Sequence, residues 1–82
     1  MKAEEIKQEI KEFIVQSIIK SEAVKIEFNT ALISGGFIDS ISTLQLVDYL
    51  EKKFKIEFQP NEVDRDNLDS IDLIADFVIS KL

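Results

Sequence analysis

The residues best placed to do chemistry are Asp39-Ser40-Ile41. The Ser40 hydroxyl stands where helical apolar spacing begins, just after the paired glycines Gly35-Gly36. A phosphate ester there would meet the free N–H groups and positive dipole end of the helix. The plainer reading is a helix cap, the commonest use of Asp or Ser at a helix start. The triplet recurs at Asp69-Ser70-Ile71, without the glycine approach and before the last apolar run. The triplet alone does not separate the two serines; the context makes Ser70 structural.

Composition narrows the other chemistries. The chain has no Cys, His or Trp. Triads using His or Cys are therefore excluded, as are thiolate and imidazole metal ligands and disulfides. Asp, Glu, Lys and Tyr49 remain as acids and bases. The carboxylates mostly fall on polar helix faces and at caps. A bundle of this size is expected to leave little room for a substrate pocket of about 300 Å³ or more. An enzyme using a carboxylate pair is thus a distant reading. Asp64, Asp66, Asp69 and Asp72 crowd together, yet no EF-hand register works: from Asp64, position 6 is Asp69 and position 12 is Ala75. Gly35-Gly36 lacks the glycine spacing and Lys-Ser/Thr ending of a P-loop. No metal site is expected.

These residues need a scaffold. The 82 residues are 45% hydrophobic and 32% charged, with a net charge of -6. That suits one folded domain, residues 1–82, and argues against disorder. An acidic chain is a poor nucleic-acid binder, while basic protein surfaces are its natural partners. No apolar run is long enough to span a membrane, and Met1-Lys2-Ala3-Glu4-Glu5 has no signal-peptide character. A monomeric cytoplasmic protein is expected.

Ile6, Ile10, Phe13, Ile14 and Ile18 predict a first helix over residues 2–20. Residues 21–39 form a long connection. Val24-Lys25-Ile26-Glu27-Phe28 alternates like a strand, but one short run cannot make a sheet. Ile26, Phe28, Leu32 and Ile33 are expected to tuck against the core, and Gly35-Gly36 to allow a tight turn. Ile41, Leu44, Val47, Leu50 and Phe54, widened by Leu46, predict a second helix over 40–54, capped by Asp39 or Ser40. Pro60 fits the start of a short helix, predicted over 61–65. Ile71, Ile74, Phe77 and Val78 predict a last helix over 70–81, with Asn67, Asp69 or Ser70 as cap. The expected fold is all-α: a four-helix bundle of three longer helices and a short one, with a long first loop.

Asp39-Ser40-Ile41 resembles the Asp-Ser-Leu/Ile/Met motif of acyl carrier proteins and related peptidyl and aminoacyl carriers. Leu44, Leu46-Val47, Leu50-Glu51 and Phe54-Lys55-Ile56 resemble the family's second helix, and Asn67-Leu68-Asp69-Ser70-Ile71 with Ile74 its entry to the last helix. The resemblance covers nearly the whole chain. It implies an acyl-carrier-like bundle with no catalysis of its own. A phosphopantetheinyl transferase would attach 4′-phosphopantetheine from coenzyme A to Ser40, with Asp39 beside it. The arm's thiol would carry acyl or aminoacyl groups as thioesters for fatty-acid, polyketide, nonribosomal-peptide or related biosynthesis. A chain without cysteine needs such an imported thiol. The acyl chain would shelter between the helices, and Ile41, Gln45, Asp48 and Glu51 would meet loading and transfer enzymes with basic docking surfaces.

The chain departs from the fatty-acid synthesis pattern. Phe37 and Ile38 stand where small residues are usual, Ser42 and Gln45 replace acids, and Lys52 and Lys53 dilute the negative helix. This region resembles D-alanyl carrier proteins and stand-alone carriers of secondary metabolism more closely. The competing expectation is an unmodified helical interaction module. In that case Ser40 is only a cap, and its loss costs about 1 kcal/mol.

Overall fold

The computed structural model describes residues 2–21 and 25–82. Val24, which opens the alternating run, lies outside them. Among the described residues there is no strand, and the chain is mostly helix.

The first helix covers the expected span with two pitches. Helix α1, Ala3–Phe13, carries Glu4 and Glu5 in its first turn and Lys11 in its last, matching the helix dipole. It continues as a π-helical segment, Ile14–Ile19. There the Lys20 N–H donates to the Val15 carbonyl at 2.8 Å, five residues back. Such bonds widen the turn and bring Ile14, Ile18 and Ile19 toward the core. Lys20 ends the segment in the left-handed region, φ 59°.

Helix α2, Ser40–Phe54, ends at Lys55, also left-handed, with φ 55°. Its buried residues are Thr43, Leu46, Val47, Leu50 and Phe54. The expected apolar stripe needs correcting here. Ile41 is 70% exposed and Leu44 62%. Asp39 caps the helix and sets its phase, so the face toward the core runs 43, 46, 47, 50, 54. Thr43 fits inside because its hydroxyl donates to the Asp39 carbonyl at 2.7 Å.

The short helix predicted over 61–65 is replaced by two pieces. One is a 3-10 turn, Pro60–Glu62, and the other is helix α3, Arg65–Leu68. Two local caps divide them. The Gln59 N–H donates to Glu62 Oε1 at 2.8 Å. The Asn67 N–H donates to Asp64 Oδ1 at 3.0 Å, so Asp64 starts a new helix where the prediction continued the old one. Helix α4, Ile71–Lys81, is capped by Ser70, whose hydroxyl accepts from the Leu73 N–H at 3.1 Å.

Ile6, Ile10 and Ile14 of the first helix, Leu46 and Leu50 of α2, Leu68 of α3 and Ile71, Ile74 and Val78 of α4 form the centre of the core. α1 packs on α4, and α3 packs on α4. α2 meets α1 through Phe13 stacked on Tyr49, ring centroids 4.0 Å apart, and through Lys53–Glu9 at 3.6 Å. Burial is the main cause that raises the Tyr49 hydroxyl pKa, aided by Glu9 and Glu12.

The long connection joins the core as expected. Ile26 and Leu32 are buried, and Phe28 and Ile33 pack against the core. Lys7 and Lys11 both lie over the Phe28 ring. The Asp72 N–H donates to the Phe28 carbonyl at 2.9 Å. Gly36 takes φ 81°, a left-handed turn that glycine makes without strain. Gly35 is needed for another reason: a Cβ there would run into the Ala31 carbonyl oxygen.

Candidate functional site: the start of the second helix

Ser40 is the first residue of α2, and it is exposed. Its hydroxyl makes no hydrogen bond among the described residues. The cap is Asp39, whose Oδ1 accepts from the Ser42 N–H at 2.8 Å. That bond is the main reason the Asp39 carboxyl is held below its ordinary range. Because Asp39 does the capping, Ser40 is left free at the positive end of a 15-residue helix.

The second triplet is shifted by one position in its use. Ser70 is only 8% exposed, and its hydroxyl is occupied as the α4 cap. Asp69 faces away from its own helix, toward the long loop. Its Oδ1 accepts from the Ile33 and Ser34 N–H groups at 2.8 and 2.9 Å. Its Oδ2 accepts from the Ser34 hydroxyl at 2.7 Å. The Ser34 N–H is the leading cause that keeps the Asp69 carboxyl below its ordinary value. The same three residue types thus leave a free hydroxyl at Ser40 and a bonded one at Ser70.

Beside Ser40 lies an open groove of about 580 Å³. Ile33, Ile38 and Leu44 give it apolar walls, and Asp64 and Arg65 form the far side. Sequence reasoning expected too little room in a bundle of this size. The space exists because the loop and the start of α3 stand apart from α2 at this end. Arg65, the only arginine in the chain, makes no ion pair or hydrogen bond through its side chain among the described residues. It brings a positive charge to the groove. Nothing in the local sequence links Arg65 to Ser40, 25 positions earlier. A second groove, about 520 Å³ beside Lys11, Phe28 and Asp72, has no hydroxyl nucleophile in its walls.

Of the four residues expected to meet partners, three are exposed and one is engaged within the chain. Ile41, Gln45 and Asp48 are exposed on α2, with Leu44 among them. Asp48 pairs with Lys52 at 3.1 Å. Glu51 turns the other way, and its Oε2 accepts from the Phe58 N–H at 2.9 Å, holding the chain after α2. Three of the four acidic residues of the rejected calcium loop are engaged elsewhere: Asp64 caps α3, Asp69 holds the long loop, and Asp72 pairs with Lys7 at 3.0 Å. Among the described residues, no three carboxylates come together in a way that could hold a metal ion. None of the described helices is long and apolar enough to cross a membrane.

No curated protein matches the chain. The family model described as the phosphopantetheine attachment site matches residues 12–78, a stretch that holds both triplets, α2, α3 and most of α4. An all-α bundle, a free serine at the head of its second helix and this match together make the chain a member of the phosphopantetheine attachment site family, a carrier domain whose prosthetic group is 4′-phosphopantetheine.

Proposed function

We propose that Ser40 carries the 4′-phosphopantetheine arm, and that the chain is a single-domain, monomeric, cytoplasmic carrier. It would deliver acyl or aminoacyl groups to partner enzymes of fatty-acid, polyketide, nonribosomal-peptide or related biosynthesis. The observation that carries this reading is the free, exposed Ser40 hydroxyl at the head of α2, set against the buried, bonded hydroxyl of Ser70.

The residues present fit the group. When bound, the arm supplies the thiol that this cysteine-free chain lacks, as the site of thioester formation. In the attachment step, Ser40 Oγ bonds to the pantetheine-bearing phosphorus of coenzyme A. The bridging P–O bond breaks, adenosine 3′,5′-bisphosphate leaves, and the serine proton passes to a base on the transferase. Ser40 has no internal hydrogen bond to give up in that step. The helix dipole favours the resulting negative charge, and Arg65 places a positive charge on the far wall of the same groove. Asp39 orients the helix start while its carboxylate is occupied by the Ser42 N–H. Ile41 and Leu44, exposed beside Ser40, give partner enzymes an apolar foothold, while Asp48 contributes to orientation.

The test is intact-protein mass before and after incubation with coenzyme A and a broad-specificity phosphopantetheinyl transferase. The wild type and Ser70→Ala should gain one phosphopantetheine, and Ser40→Ala none. No gain by a folded wild-type protein with several transferases would favour the unmodified interaction module instead.

A further inference from the structure

The two triplets are connected through space. Asp69 of the second holds the loop that leads into the first. Three donors from two adjacent loop residues converge on its carboxylate: the Ile33 N–H, the Ser34 N–H and the Ser34 hydroxyl. Its backbone adds a fourth tie, the Leu32 N–H donating to the Asp69 carbonyl at 2.6 Å. The loop then closes on itself. The Leu32 carbonyl accepts from the Phe37 and Ile38 N–H groups at 2.8 and 3.1 Å, and the Gly36 N–H donates to the Ile33 carbonyl at 3.1 Å. Ile38, 4% exposed, seats the end of this turn in the core directly before Asp39.

We infer that Asp69 is a positioning residue for the modification of Ser40: its carboxylate fixes the 32–38 turn that flanks Ser40 and presents it to the transferase. The inference rests on the reading of Ser40 as the attachment site. The turn has two glycines, Gly35 and Gly36, and an exposed edge from Ser34 to Phe37. Such a segment would sample many conformations if it were untied. The Asp69 bonds are charge-assisted, which makes them stronger than neutral ones. They join residues 35 or more positions apart, so no local bond replaces them. Asp69 touches neither Ser40 nor the incoming phosphate. Its effect is to keep the turn in one arrangement, so that every encounter with the transferase meets the same surface. If only a fraction of molecules is competent, the apparent affinity falls by that fraction while the chemical step is unchanged.

The experiment compares wild type, Ser34→Ala, Asp69→Asn and Asp69→Ala, each shown to be helical by circular dichroism. Transferase kinetics are followed by intact mass, and hydrogen exchange is followed across residues 32–38. Asp69→Ala should raise KM for the carrier about fivefold or more with kcat little changed, and should speed exchange in the turn. Asn keeps an acceptor for the two N–H groups but loses the charge and the oxygen that accepts from the Ser34 hydroxyl, so Asp69→Asn should fall measurably between wild type and Asp69→Ala in both KM and exchange. Ser34→Ala, which removes one of three bonds, should fall near the wild type. Asp69→Asn carries the test if Asp69→Ala does not fold. Unchanged KM and unchanged exchange in a folded Asp69→Ala or Asp69→Asn protein would overturn the inference, as would a fall in kcat alone. Failure of wild type to accept phosphopantetheine would overturn the Ser40 reading instead, and the exchange data would still judge the latch.

Discussion

Ser40 and Ser70 sit in identical triplets but have separable roles, and the two alanine substitutions should separate them by stability. The Ser70 hydroxyl accepts from the Leu73 N–H at 3.1 Å in a site only 8% exposed. Removing an N-cap hydroxyl of this kind costs about 1 kcal/mol. For a domain of 60–100 residues, a loss of 1 kcal/mol lowers Tm by about 4–8 °C. In urea, with a slope near the low end of about 1–3 kcal/mol per molar, the midpoint falls by close to 1 M. Ser40 is exposed and makes no internal hydrogen bond, because Asp39 caps α2. Its replacement by alanine should stay within about 0.5 kcal/mol of wild type, and helix propensity pulls slightly in its favour.

The assay is thermal and urea unfolding followed by helical circular dichroism, on protein shown by mass to be unmodified. Ser70→Ala should move both midpoints down, and Ser40→Ala should leave both in place. The expected order is therefore opposite to that in the modification assay, where Ser40→Ala is the variant that loses everything. A Ser40→Ala protein destabilised as much as Ser70→Ala would refute the reasoning. It would mean that the Ser40 hydroxyl is a cap after all, and would return weight to the unmodified module.

Acid should weaken the fold through Asp39, Asp69 and Glu62. The leading causes are the Ser42 N–H, the Ser34 N–H and Lys81, which hold these carboxyls below their ordinary values of 3.8, 3.8 and 4.5. The folded state then binds fewer protons than the unfolded one, so their contribution is full above the ordinary values and is lost as pH falls through the depressed ones. Urea midpoints measured from pH 6 downward should drop in that window, and Asp69→Asn should flatten the slope. At the glycine pair, Gly35→Ala should be the more damaging change because its Cβ meets the Ala31 carbonyl, whereas Gly36→Ala enters open space and bears only the cost of its φ of 81°. Thermal midpoints of the two variants check that order. Ile41→Ala and Leu44→Ala should leave stability within about 0.5 kcal/mol, since both side chains are largely exposed. The same variants should weaken binding to partner enzymes, measured by titration calorimetry with the modified carrier.

Much of the fold was legible in sequence because its signals are local. The 3.6-residue spacing of Ile6, Ile10 and Ile14 and of Ile71, Ile74 and Val78 places two helices on the core, and the structure buries all six side chains. The start of α2 is marked by Asp39 and the glycine turn by Gly35-Gly36. Where the reading slipped, two local signals competed. Ile41 and Leu44 extend an apolar stripe on paper, yet the cap at Asp39 sets a phase that sends them outward and Thr43 inward. Pro60 suggested one short helix over 61–65, but Asp64 caps a second one and cuts the segment in two. A widened turn over Ile14–Ile19 leaves no clear mark in residue spacing.

For the site, sequence alone supplied the candidate serine, two candidates for the helix cap in Asp39 and Ser40, the absence of any thiol and the resemblance that names the arm. These are properties of residue type and near-neighbour order. The triplet by itself does not tell the free serine from the bonded one, since both read Asp-Ser-Ile; the glycine approach of the first and the place of the second before the last helix point to Ser40. Tertiary structure separates them: at the first triplet the aspartate takes the cap and the serine is spare, while at the second the aspartate reaches a loop 35 residues away and the serine must cap. The groove wall at Arg65, the inward turn of Glu51 and the Asp69 latch are likewise contacts between distant segments. Their geometry comes from how α1, α3 and α4 close on one core, and no single segment contains that information.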